Sequence, residues 1–123
     1  MKYLILIHSN PASRAAWDAL SEQQRAGLGT DHMRLNKELD AEGVLVSSEG
    51  LQPIDTAKRV SVRDGGTLTS DGPFAEVKEH LAGLYVIECV NIDDAVAIAA
   101  RVPDAAFGEV EVRPVYDMSE FED

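Results

Sequence analysis

The sequence predicts an α+β fold, one antiparallel sheet with two helices laid across a single face. Three observations lead there. "KYLILIH" near the start and "LAGLYVIECV" further on are strand-length runs that are apolar on both faces, the pattern of strands covered on each side. A helix-length segment lies between the first of them and the next strand, opened by Ser21 and Gln24 as a Ser-x-x-Gln capping box. "GEVEVRPV" alternates near the end, with Val110 and Val112 on one side and Glu109, Glu111 and Arg113 on the other.

Taken in order, the first strand carries Tyr3, Ile5 and Ile7 on one face and Leu4 and Leu6 on the other. "NPASRAAWDALSEQQ" breaks that pattern, and a helix then runs from Ser21 to about Glu42, stopped by Gly43. Leu28, Leu35 and Leu39 form its apolar stripe at about 100° per residue, with His32 at the margin. "VLVSSEGL" and "AKRVSVRD" read as strands, and Asp64-Gly65-Gly66 as a hairpin turn into "TLTS". Asp71-Gly72-Pro73 is a further turn before the central strand. Asn91 caps a second helix with a narrow face of Val96, Ala99 and Ala100, ended by Pro103. This is the split βαβ order of a ferredoxin-like fold. Two helices cover one face of such a sheet. The apolar residues on its other face therefore predict a homodimer in which two sheets face each other.

At 123 residues the chain reads as a single domain over 1–118 followed by an acidic tail, 119–123. Hydrophobic residues make up 45% and charged residues 27%, a globular balance. The net charge of −11 repels phosphate backbones and anionic lipid heads, so neither nucleic acid nor a membrane is the expected partner. The opening apolar run is too short to span a bilayer and no cleavage site follows, which points to a cytoplasmic protein. Cys89 is the single cysteine, placed as a small core hydrophobe. His8, His32 and His80 are scattered, so no metal site is expected, and no phosphate loop or nucleophile elbow signals a cofactor or a covalent mechanism.

Chemistry-bearing residues gather before the central strand, in "DGPFAEVKEH". Phe74, Glu76, Lys78 and Glu79 read as the rim and polar floor of a cleft, with Tyr85 further along the strand and Arg113 as a cationic neighbour for Glu79. Gly83 leaves room for that cleft or for a bulge. His32 is either a hydrogen-bonded histidine at the core margin or a general base. Asp71 is either a turn residue or the carboxylate that orients His32.

"DGPFAEVKEHLAGLYVIECV", with "KYLILIH", "EGLQP" and "VEVRPV", resembles the YCII-related superfamily, in its DGPF branch. The resemblance covers nearly the whole chain. It implies a ferredoxin-like monomer that pairs into a dimeric α/β barrel. A YCII-type relative is a dehydrochlorinase of a chlorinated hydroxyquinol that uses a His and Asp pair, which maps here onto His32 and Asp71. Cofactor-free acid-base chemistry, a lyase or isomerase step on a planar aromatic or quinone-like small molecule, is the implied activity. Members encoded beside extracytoplasmic-function sigma factors imply the alternative of a non-catalytic accessory protein with such a factor as partner.

Overall fold

The computed structural model describes residues 1–72 and 78–121. Among the described residues there are six strands: β1 (Lys2–Ser9), β2 (Leu45–Gly50), β3 (Lys58–Arg63), β4 (Gly66–Asp71), β5 (His80–Glu88) and β6 (Val110–Pro114). Three α-helices accompany them: α1 (Pro11–Asp18), α2 (Glu22–Ala41) and α3 (Ile92–Ala99). The main sheet has the order β2-β5-β1-β6 with every pair antiparallel, which is the ferredoxin-like arrangement expected from the element order. β3 and β4 form a separate two-stranded ribbon. Among the described residues no helix is long and apolar enough to cross a membrane.

Local signals account for most boundaries. Ser21 accepts from the backbone of Gln24 while the Gln24 side chain bonds the Ser21 amide, satisfying two amides that the first turn of α2 leaves unpaired. Gly43, at φ 75°, ends that helix in a conformation that favours glycine. Asp64 and Gly65, at φ 52° and 76°, make the tight turn between β3 and β4. Asn91 caps α3 through the amide of Asp94.

Two expectations are corrected. α1 is an additional helix inside the segment read as a break; Asn10 caps it, Pro11 occupies its first turn, and Ser13 returns a hydrogen bond to the Asn10 amide. Its four-residue box, Asn10 to Ser13, ends in Ser rather than Glu or Gln, which is why the pattern hid it. α3 buries Ala95, Ile98 and Ala99, continued by Val102, whereas Val96 and Ala100 face solvent.

The core lies between the sheet and α2 and α3. Tyr3, Ile5 and Ile7 of β1 and Tyr85 and Ile87 of β5 meet Leu35 and Leu39 of α2 and the buried residues of α3. On the opposite face, cross-strand neighbours form a row of Glu49, Leu84, Leu6 and Glu111, and a second of Ser47, Val86, Leu4 and Arg113. Leu6 is buried and Leu4, Leu84 and Val86 are half-buried, so this second face is apolar at its centre, as the sequence predicts.

The start of β5 departs from simple alternation. Ile7 pairs with Gly83 but His8 pairs with Leu81, so Ala82 is the extra residue of a β-bulge. Strict alternation would put Leu81 on the face of Gly83 and Tyr85; the bulge shifts the phase, and Leu81 shares the face of His8. Gly83 is buried where β2 passes closest, and a Cβ there would stand 3.1 Å from the carbonyl oxygen of Glu49 and 3.6 Å from Ile7 Cδ1. Gly83→Val is therefore expected to destabilise the protein by about 1–3 kcal/mol, lowering Tm by on the order of 5–10 °C. An unchanged melting curve would show that β2 yields at no cost.

Candidate functional site

β5 carries Tyr85 into the core with its ring 1% exposed, and a buried phenol needs a hydrogen-bond partner. α2 supplies one. Its inner stripe brings His32 over the sheet, with Nδ1 2.6 Å from the Tyr85 hydroxyl and the two rings stacked at 5.9 Å and 19°. Ser48 stands directly opposite Tyr85 on β2. The other imidazole nitrogen, Nε2, lies 2.5 Å from Oδ1 of Asp104. Asp104 sits in a short 3-10 helix (Pro103–Ala106) after α3, and both side chains of the pair are a little over one-quarter exposed. An ionised carboxylate only accepts, so Nε2 carries the proton of that bond.

Burial pushes the Tyr85 phenol above its ordinary value, the nearby Asp104 charge adds to the rise, and the Ser48 hydroxyl opposes it.

Asp104 faces a cleft of about 330 Å³ whose walls include Trp17, Phe107, Arg14 and His8; His32 is not on its surface. α1 builds one wall, and Arg14 holds it to the sheet by donating to the Ser9 hydroxyl (3.2 Å) and to the Lys78 carbonyl (3.0 Å). A second polar cluster adjoins the cleft at the bulged end of the sheet. There His8 Nε2 lies 2.8 Å from Glu111, its Nδ1 lies 3.5 Å from Glu79, and Arg113 lies 3.2 Å from the other oxygen of Glu111.

The expected site residues are thus divided. His32 and Tyr85 are brought together, but the carboxylate on His32 is Asp104 and not Asp71. Asp71 ends the β3–β4 ribbon, highly exposed and 2.5 Å from Lys58, because the hairpin carries it away from α2. Glu79 finds His8 as its partner; Arg113 reaches the same cluster through Glu111. Lys78 is exposed and contributes its carbonyl. Phe74 and Glu76 lie outside the described residues. Asp104, Trp17, Phe107 and Ser48 escaped the sequence reading. Asp104 lies 72 positions from His32 and follows a proline read only as a helix stop, so its one local signal was Pro-Asp opening a 3-10 turn. Among the described residues no group of three or more His, Cys, Asp or Glu is placed to hold a metal ion.

The YCII-related domain model matches residues 1–119. The chain belongs to the YCII-related domain family. A relative from Rhizobium meliloti (strain 1021), an uncharacterised protein, is 31% identical over 117 residues, covering 94% of this chain and 92% of the relative. In this YCII-related chain the part-buried Tyr–His–Asp line joins β5, α2 and the turn after α3.

The raised Tyr85 phenol has a measurable consequence. The unfolded chain releases this proton near pH 10, while the folded protein holds it longer. The stability contributed by the group is complete below that value and is lost as pH rises through the higher folded value. Denaturant unfolding at pH 9 and pH 11 should therefore show a smaller alkaline loss for Tyr85→Phe than for the wild type. Equal losses would mean that the phenol is not held above its ordinary range.

Proposed function

We propose that this YCII-related protein is a small-molecule enzyme of the DGPF branch, carrying out cofactor-free acid-base chemistry, a lyase or isomerase step, on a planar phenolic or quinone-like compound. The observation that carries the reading is the 2.5 Å contact between His32 and Asp104 at the wall of a cleft flanked by Trp17 and Phe107. Aromatic walls suit a flat ligand. Because Asp104 lines the cleft and His32 does not, the substrate meets the carboxylate first. The pair accepts a phenolic or carbon-bound proton at Asp104, while the Nε2 proton of His32 stabilises the carboxylate before transfer. Tyr85 fixes the imidazole tautomer from behind. The proton is returned to another carbon in an isomerase step, or leaves with the departing group in a lyase step. The DGPF assignment rests on Asp71-Gly72-Pro73-Phe74.

Hydroxyquinols and related phenols are the compounds to screen. Asp104→Asn keeps the shape of the side chain but removes its capacity to take a proton, and His32→Ala removes the group behind it. Each is expected to lower turnover by about 10²–10⁴-fold. Wild-type turnover in both variants would eliminate the pair from the mechanism.

The active form in this reading is a homodimer. The central leucines and valine of the face opposite the helices favour it, since a second sheet is the simplest cover for such a face. Sedimentation at micromolar concentration should give twice 13.3 kDa. A well-folded species at the single-chain mass would refute the dimer.

A further inference from the structure

The β3–β4 ribbon has no evident role in the monomer. Its strands pack on each other, and among the described residues neither packs substantially against another element. An isolated two-stranded hairpin is marginally stable in water. The register places Val60, Val62, Thr67 and Thr69 on one face, and the two valines are 65% and 71% exposed. Leu68 and Ser61 pair on the opposite face. Among the described residues no further strand pairs with either outer edge.

The ribbon also differs in charge from the rest of the chain. Lys58, Arg59 and Arg63 against Asp64 and Asp71 give it +1, so the remainder of the −11 chain carries −12. The valine face carries Lys58 paired with Asp71, and Arg59 and Arg63 lie on the other face, so the arm is free of the acidic excess that keeps copies of this chain apart and can approach the acidic body of a second copy. The arm is rooted beside the sheet: the Leu51 amide donates to the Ala82 carbonyl where β2 ends, and the Gly72 amide closes the ribbon on the Ala57 carbonyl. Its strands span about 20 Å, enough to reach across the margin of a sheet. Edge strands β2 and β6 carry Glu49 and Glu111 on the face opposite the helices.

We infer that the β3–β4 ribbon is a clasp for a second copy of this chain, its Val60 and Val62 face laid on the acidic margin of the partner's sheet, outside the centre where the two sheets meet, and the exchange reciprocal across a two-fold axis. The inference rests on the homodimer reading above and adds the element that holds the dimer. Each protomer then covers the other's apolar ribbon face, and the ribbon gains the third layer of contacts it lacks alone.

Sedimentation equilibrium of the full chain over a wide concentration range tests it. Val60→Lys with Val62→Lys should weaken self-association at least about tenfold, whereas Ser61→Lys, on the other face of the same strand, should change it by less than about twofold. Thermal melts of the dilute variants check that the body is intact. If the lysine pair prevents folding, Val60→Thr with Val62→Thr keeps shape and strand propensity and is still expected to weaken the dimer severalfold. A wild-type dimer that the valine variants leave equally tight overturns the clasp and leaves the dimer standing. A monomeric wild type overturns both.

Discussion

The hydroxyl of Tyr85 has to be hydrogen-bonded, and the arrangement of the site follows from that requirement. β5 is central in the sheet, so the Tyr85 ring is packed among Ile5, Ile87 and Leu39 with its polar end out of reach of bulk water. An unpaired phenol in that position would cost about 1–3 kcal/mol. His32 meets the need from the overlying helix. Once Nδ1 of His32 is committed to Tyr85, Nε2 is the remaining nitrogen, and the turn after α3 presents Asp104 to it. Three elements are thereby joined through side chains that a purely apolar core would not need, which orients α2 on the sheet as well as filling the space beneath it.

The two ends of β5 do different work. Its second half is regular and supplies core residues. Its first half is displaced by the bulge at Ala82, and the resulting change of phase puts Leu81 on the His8 face and brings Glu79 to His8. Bulges re-aim side chains at the ends of sheets. Here the bulge adjoins the cleft and builds the His8, Glu79, Glu111 and Arg113 cluster beside it. Gly83 accommodates the same irregularity, because a side chain there would press on the β2 backbone.

The exterior is as informative as the core. The helix-covered face is sealed by large side chains, whereas the opposite face has leucines and a valine at its centre and acids on its edge strands. The ribbon adds further exposed β-branched residues to a chain whose charge would otherwise keep copies apart. Apolar surface at these two places, within an acidic exterior, is the feature that supports the proposed pairing.

Local chemistry by itself determined the strands, the long helix and the order in which they come. Two-faced apolar runs specify buried strands, Ser21 with Gln24 specifies a helix start, and Asp64-Gly65 specifies a tight hairpin, because each depends on residues within a few positions of one another. The helix α1 was nearly legible in Asn10 and Pro11, and the face of α3 was misjudged because short alanine-rich helices have little periodic contrast. His32 and Tyr85 stood out as single residues for the same local reasons. Their contact with each other and with Asp104 was decided by the tertiary structure alone, since it depends on how α2 crosses β5 and on where the turn after Pro103 comes to rest, 72 residues away. Asp71 lies near in the chain to β5 and carries the same carboxylate, yet the hairpin holds it on Lys58. Which of two chemically equivalent acids reaches the histidine is a matter of packing, and no pattern along the chain encodes a distance through space.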